Sequence, residues 1–460
     1  MSDSATIFHQ KSEEMAFDVE HRRKINFNIG RYDESVKKGR LYYSNLELAR
    51  KRAGHIKYKA INDLEKLLAE FESRFTAKGG KVIWTIDAQD AIKQILSIVK
   101  KHDIRAVVKS KSMTTEEIAF NDALKSKKVE ATETDLGEFI VQQAGQKPYH
   151  IVTPAMHMSK EDVADLFGKK YPSLGPGASP AEITAFVRNL LREKFLHADA
   201  GVTGANFLIA DTGSIALTEN EGNGYMSVAF PRVHIVIAGI EKVIPSLNDL
   251  DLYWPLLATH GTGQYITVYN SIISGPRQEG EIDGPLDMYV ILIDNGRTNL
   301  LAQEHQRQAL TCIRCGACLN ACPVYKNIGG HAYGTTYSGP IGSVITPYLI
   351  DIKDYNHLSF ASSLCGKCTD VCPVKIPLHK LLLYNRRDAV SKGVANWNWS
   401  MNFSTRLFKN RWMMDKGGGL KEILFKTFIT NMWGARRTLP ELPSRNFKQQ
   451  WEAERGKKRK

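Results

Sequence analysis

Apolar residues in the first 78 positions recur at helical spacing, most plainly in LELARKRAGHIKYKAINDLEKLLAEFESRF from Leu46 to Phe75, where no proline interrupts the period. The pattern predicts a helical N-terminal arm over residues 1–78, packed on the domain that follows. At Lys81 the pattern changes. KVIWTI and RAVVKS are short β-type runs separated by the amphipathic stretch DAQDAIKQILSIVKKH. Next comes KSKSMTTEEIAFNDALKSK, in which Thr114 and Glu117 have capping-box spacing at a helix start. VEATETD then LGEFIVQQAG, and HIVTP then SKEDVADLFGKKY, read as two further strand–helix units. SPAEITAFVRNLLREKFLHADAGVTG is the clearest helix, with Ser179 as cap, Pro180 in the first turn and Glu182 completing the box. Beyond Gly204 the pattern returns to β, through NFLIADTGSIALTEN, HIVIAGIEKVI, QYITVYNSII and MYVILIDNG. This order predicts an α/β domain over residues 79–297: an open, mainly parallel sheet with helices on its faces and antiparallel strands added from its second half.

Past residue 297 the cysteines organise the chain. All seven lie in CIRCGACLNACP (Cys312, Cys315, Cys318, Cys322) and CGKCTDVCP (Cys365, Cys368, Cys372). The first stretch has the C-x2-C-x2-C-x3-C-P spacing of bacterial-type ferredoxins, in which three thiolates of a loop hold one cluster and the fourth reaches a neighbouring one. Each loop then needs the other's last cysteine. Cys312, Cys315, Cys318 and Cys372 are expected to hold one [4Fe-4S] cluster, and Cys322, Cys365 and Cys368 the second. The second set is one ligand short, because Ser362 stands where an intact repeat carries a cysteine. That cluster is expected to be [3Fe-4S], or [4Fe-4S] with serine, water, substrate or a partner residue on its fourth iron. Ligand softness alone also allows zinc, but seven thiolates exceed what a tetrahedral zinc site needs. Residues 298–390 therefore read as an α-helical, two-cluster ferredoxin-like domain. Between the two stretches, YKNIGGHAYGTTYSGPIGSVITP is too rich in turn residues for a long helix. It is expected to wrap the clusters, with His331, Tyr333 and Tyr337 packed on them or reaching a substrate or electron partner.

Composition changes this picture little. An apolar content of 43% and a charged content of 24% fit an ordinary globular protein of two or three domains. The polar start of the chain predicts no export, and clustered thiolates without an export signal predict the cytoplasm. The net charge of +13 is concentrated at the end: residues 396–460 hold fifteen Lys/Arg against five Asp/Glu. Residues 391–460 read as a basic helical tail with aromatic residues in WNWSMNF, RWMMDKGGG and LKEILFKTFITNMWG. Such a tail suits a subunit surface, the chain's own core or the inner face of a membrane. A nucleic-acid role rests on the tail alone and is not expected.

The glycine-rich stretch GVTGANFLIADTGSIALTENEGNG lacks the spacing of a dinucleotide or P-loop site. Lys109, Lys111, Asn206, Asp211, Thr212, Glu219, Glu221 and Asn223 are nevertheless placed at strand ends or glycine-bordered turns, where open α/β sheets bind ligands. Lysines there suit a carboxylate or phosphate.

KSKSMTTEEI, the glycine-rich stretch and the double cysteine signature together resemble the lactate utilization protein B family. That resemblance implies an α/β domain similar in fold to sugar-phosphate isomerase and CoA-transferase-like proteins. It also implies an iron–sulfur, electron-transferring role in a three-protein system that oxidises L-lactate to pyruvate. Cys312, Cys315, Cys318 and Cys372 match one family cluster site, and Cys322, Cys365 and Cys368 the other. The implied partners are a cysteine-rich protein with CCG-type motifs and a small protein carrying only the α/β domain, with a quinone or soluble carrier as acceptor. Two readings compete with electron transfer: a hydroxy-acid site in the α/β domain, and the open iron of the second cluster acting as a Lewis acid on a hydroxy acid.

Overall fold

The computed structural model describes residues 2–175 and 177–395, with scattered positions between 402 and 457. Residues 1–394 form one compact unit and residues 395–460 a second. Of the second unit, the helix Phe447–Lys457 is described. The aromatic and basic stretches of the tail lie almost wholly outside the described residues.

Among the described residues ten strands run through the first unit: β1 (Lys81–Thr85), β2 (Ala106–Lys109), β3 (Glu130–Glu133), β4 (Ala200–Thr203), β5 (Phe207–Ile209), β6 (Ser214–Glu219), β7 (Val233–Gly239), β8 (Val243–Ile244), β9 (Tyr269–Ile273) and β10 (Asp287–Ile293). Six build a parallel sheet in the order β1-β10-β7-β4-β2-β3. Its central strands β7 and β4 are buried at every position, because both faces are covered. Ile235 and Ile237 of β7, with Tyr289, Ile291 and Ile293 of β10, face the helices Ala88–Lys101 and Phe120–Ser126. Val236 and Ala238, with Met288, Val290 and Leu292, face Leu68, Phe71 and Phe75 of the helix Leu64–Thr76.

The remaining strands form a separate four-stranded sheet, β8-β5-β6-β9. This corrects the expectation that antiparallel strands extend the parallel sheet. The β5–β6 hairpin and β9 pair antiparallel, while β8 runs parallel to β5. The small sheet buries Leu208, Ile215 and Val243 against the same helix that covers the large one.

Three local expectations also change. HIVTP forms no strand: the buried His150 ring accepts the backbone N–H groups of Val152 and Thr153 through Nδ1 at 3.1 and 3.2 Å, and this local bonding replaces a ladder. Thr114 does not cap its helix; Ser112 does, accepting from Thr115 N–H, and Glu117 is taken up by Arg297. The segment between the cysteine stretches holds an 11-residue helix, Gly339–Leu349. Pro340 lies in its first turn, where the missing N–H is harmless, and a Cβ at Gly342 would lie 1.9 Å from the Tyr337 carbonyl oxygen. Ser179 and Glu182 do form the reciprocal capping box of the helix Pro180–His197.

The N-terminal arm consists of the helices Asp3–Phe17, Val19–Arg40, Leu46–Asn62 and Leu64–Thr76. It is wedged against both later segments. Phe8 packs edge-on to Tyr333, with ring centroids 5.9 Å apart. Arg50 donates to the Cys372 carbonyl at 2.8 and 3.1 Å, and buried Lys57 donates to the carbonyls of Glu241 and Val243 at 2.6 and 3.1 Å. Gly54 lets this helix touch the second cysteine loop, since a Cβ there would sit 2.6 Å from the Val374 carbonyl oxygen. Gly54→Ala is therefore expected to destabilise the protein by about 1–3 kcal/mol through overpacking. Gly30→Ala, in an open stretch of the preceding helix with nothing within 4 Å of the new methyl, is expected to stabilise by up to about 1 kcal/mol. Urea denaturation of both variants measures the contrast in sign.

Candidate metal centre and adjoining cavity

The two cysteine loops share one backbone design. In the first, Arg314 and Gly316 flank Cys315 with φ of 62° and 77°; in the second, Leu364 and Gly366 flank Cys365 with φ of 54° and 82°. Left-handed backbone at Arg314 and Leu364 costs about 1–2 kcal/mol each, and such strain persists where a site enforces it. The hydrogen bonds repeat too. Arg314 N–H donates to Cys312 Sγ at 3.4 Å, and Leu364 N–H donates to Ser362 Oγ at 3.2 Å. Ser362 thus stands in the second loop where Cys312 stands in the first.

Cys312, Cys315, Cys318 and Cys372 line a single cavity, closed by Ile313, Ile341, Val374, Ile376 and Leu378. Cys315, Cys318 and Cys372 are only 7%, 8% and 6% exposed. Burial, then the neighbouring Cys312 thiol, pushes Cys372 up to about 11 and raises Cys315 and Cys318 further. Thiols so placed ionise only opposite a cationic centre. Ile376 N–H donates to Cys372 Sγ at 3.4 Å, so peptide dipoles also point at the sulfurs. Among the described residues, no three His, Cys, Asp or Glu side chains converge closely enough to hold a single ion. The four thiols instead surround a gap, and an apolar chamber with soft ligands fits an iron–sulfur cluster.

Cys322, Cys365 and Cys368 form the second neighbourhood, each thiol electrostatically coupled to the others. Burial, then Cys322, raises Cys368 to about 12. Cys322 precedes Pro323 at the start of the helix Pro323–Ile328, and Cys365 is exposed to solvent. Tyr333 is buried beside both Cys322 and Cys318, between the two groups. His331 lies elsewhere. Its Nε2 meets the Lys147 carbonyl at 2.8 Å, and its ring packs on Tyr149 and His157.

A second cavity of about 390 Å3 adjoins the first, and Ile151, Arg314 and Cys315 line both. The wall between them is one residue thick. Lys111, Asn206, Glu219, Glu221 and Asn223 line the larger cavity, as the strand-end reading anticipates. Lys109, Asp211 and Thr212 do not. Lys109 is buried 2.9 Å from Glu133 and 3.6 Å from Glu116; burial opposes its charge, but Glu133, Glu138 and Glu116 hold its ammonium above the ordinary range. Asp211 accepts from Leu247 N–H at 3.0 Å, and the Thr212 carbonyl accepts from Lys78 at 2.6 Å.

Sequence pattern alone does not point to Lys242, Arg314 or the buried charges behind them. Arg297, 1% exposed, bridges Glu117 at 2.9 Å and Glu241 at 2.5 Å, and Arg314 reaches Glu241 at 3.4 Å. Tyr337 donates to Glu117 at 2.5 Å, and its ring lies 4.3 Å from the Arg314 guanidinium carbon. Burial would raise the Glu241 carboxyl, but Arg297, Arg314 and Lys242 outweigh it and hold the group at about 2. Burial pushes the Lys242 ammonium down to about 8 against the opposing pull of Glu241.

An α/β domain joined to two interlocked cysteine loops defines the class: a dicluster iron–sulfur protein with a ligand-sized cavity beside one cysteine set. Residues 68–293 match the LUD domain, and residues 308–376 the 4Fe-4S dicluster domain. The chain is 43% identical over 349 residues to lactate utilization protein B of Bacillus velezensis strain FZB42, covering 76% of this chain and 73% of that one. It has the same identity over 349 residues with the Bacillus subtilis strain 168 protein of that name, covering 76% and 72%. The Escherichia coli K12 protein described as the uncharacterized electron transport protein YkgF is 42% identical over 346 residues, covering 75% and 72%. The chain belongs to the lactate utilization protein B family.

The Arg297 network gives a direct test of what ties the two segments together. Arg297→Met leaves Glu117 and Glu241 buried without their shared partner and is expected to cost about 3–5 kcal/mol. Glu117→Gln, which keeps a hydrogen-bonding side chain at the bridge, should cost clearly less. Guanidinium denaturation of the two variants measures the difference.

Proposed function

We propose that this protein is the electron-transfer subunit of a multi-protein system that oxidises L-lactate to pyruvate, passing electrons singly through two iron–sulfur clusters. Cys312, Cys315, Cys318 and Cys372 would hold the first, and Cys322, Cys365 and Cys368 the second. The observation that carries the reading is the division of seven thiols into two adjoining neighbourhoods, each drawing ligands from both loops. Lactate oxidation releases two electrons and two protons, whereas an iron–sulfur centre supplies a one-electron acceptor. Neighbouring centres suit that mismatch.

The two ends of the cysteine region differ in what they can meet. Cys315 faces the large cavity, while Cys365 is exposed to solvent, so the second set is the one a partner protein can approach. The partners in this reading are a CCG-motif cysteine-rich protein and a small protein of the α/β type, with a quinone or soluble carrier as acceptor. No helix among the described residues is long and apolar enough to cross a membrane. The reading places the protein in the cytoplasm, with the basic tail available for peripheral contact with the inner membrane face.

For the second centre we infer that Ser362 supplies the fourth ligand, because its hydroxyl accepts the bond that Cys312 Sγ accepts in the first loop. Ser362→Ala is expected to alter the EPR spectrum of one cluster and leave the other unchanged, while Ser362→Cys retains a full complement of iron. An Ala variant with the wild-type spectrum would exclude the serine.

The function itself is tested on anaerobically purified protein by EPR after adding L-lactate, with and without the two partner proteins. Cluster reduction that requires the partners is the expected result. Reduction by lactate with this chain alone would place the oxidation here, and no reduction in either case would sink the electron-transfer role.

A further inference from the structure

The two ends of the large cavity are chemically unlike. At one end stand Asp135, Glu219 and Glu221, already engaged: Glu219 accepts from Gly224 and Tyr225 N–H at 2.6 and 2.7 Å, and Glu221 accepts from Leu136 N–H at 3.3 Å. Lys111 donates to the Val152 carbonyl at 2.6 Å and lies 3.8 Å from Asp135. The end against Cys315 holds Arg314, Lys242 and Tyr337. Here Arg297, Arg314, Lys242 and Lys57 stand against the carboxylates Glu117 and Glu241 and the sulfur of Cys312.

Arg297 takes up both carboxylates, and Arg314 keeps one longer contact while its Nη1 is buried with no partner. Among the described residues Lys242 makes no hydrogen bond or close ion pair, and the Asn206 amide nitrogen, on a residue that also lines the cavity, donates to nothing. Of these donors the Arg314 nitrogen is fully buried, and a buried donor without a partner is costly.

We propose that this cavity binds a short-chain monocarboxylate of the 2-hydroxy or 2-oxo acid class, with its carboxylate held by Lys242 and Arg314. The donors left without a carboxylate at this end, Lys242 and one Arg314 nitrogen, suit the two oxygens of a single carboxylate. The acidic far end repels a second negative group, which disfavours dicarboxylates and inorganic phosphate. The Asn206 amide is placed to donate to the ligand's remaining oxygen. A volume of about 390 Å3 lies within the range of small-molecule sites and holds such an acid together with water. Because Cys315 and Arg314 form the shared wall, the bound acid lies one residue from the first cysteine set.

This deepens the functional reading and rests on it only for the spectroscopic half of the test. The experiment is calorimetric titration of the anaerobically purified full chain with L-lactate, pyruvate, succinate and inorganic phosphate. L-Lactate or pyruvate is expected to bind, with succinate and phosphate at least about tenfold weaker. Lys242→Gln should weaken binding by about ten- to hundredfold, the range for losing one charge-assisted hydrogen bond, with iron content and circular dichroism unchanged. Lys242→Arg should retain binding to within a few-fold. Should Lys242→Gln not fold, Asn206→Asp, which adds a negative charge to the lining, gives the same expected loss.

Absence of binding by either acid overturns the proposal. So does equal affinity for phosphate or succinate, or an affinity that Lys242→Gln or a folded Asn206→Asp leaves unchanged. In the second half, adding the tighter-binding acid to the reduced protein is expected to shift the EPR signal of one cluster in wild type and not in Lys242→Gln. Binding without iron in the protein would refute the cluster reading and leave the cavity assignment standing.

Discussion

The Arg297 guanidinium is the interaction on which the arrangement of the two segments depends. It lies in the turn after β10, while Glu241 follows β7 and Glu117 follows β2, so one side chain ties together the carboxyl ends of three parallel strands. Gly239 makes room for it, because a Cβ there would lie 2.1 Å from Glu241 Oε2 and 2.4 Å from Arg297 Nε. Glu241 in turn meets Arg314, the residue before Cys315. The cysteine loop is thus fastened to the sheet where open α/β folds place ligands. A buried pair gains little net stability, because desolvation offsets attraction, but its geometry is exacting. Here that geometry fixes which face of the cysteine loop meets the sheet.

Much of the fold was legible in the sequence because it is written in local periods. The parallel strands are apolar runs, and the helices Ala88–Lys101 and Pro180–His197 carry a clear stripe or an explicit cap. What failed were features decided by tertiary contact. HIVTP has strand composition, yet the His150 ring captures its backbone donors. Gly339–Leu349 has turn composition, yet it is buried from Gly339 to Tyr348, and tertiary packing holds it helical. Single-strand patterns also carry no sign of which sheet a strand joins, which is why β5, β6, β8 and β9 were expected in the wrong one.

The site divides in the same way. Cysteine spacing is a covalent-scale constraint, readable from one sequence, and it groups the thiols as the two structural neighbourhoods do. The cavity lining is assembled from segments far apart in sequence. Lys242 follows β7 and Arg314 belongs to the cysteine loop, so neither lies in the glycine-bordered stretches that drew attention to Asn206 and Glu219. Lys109 shows the opposite error. A lysine at a strand end looks available for a ligand, but three glutamates enclose it.

The two cysteine sets also occupy different dielectric surroundings. Around Cys315, Cys318 and Cys372 water is excluded, and adding an electron there is opposed by the loss of solvation but favoured by the nearby cations Arg314 and Lys242. Around Cys365 solvent itself can compensate the added charge. Fixed cations respond to ligands and to substitution, whereas solvent does not. A carboxylate bound at Lys242 would neutralise part of the compensation at the inner set, making reduction there harder while leaving the outer set unaffected. The inner set is therefore the one whose electron affinity a ligand at Lys242 would change.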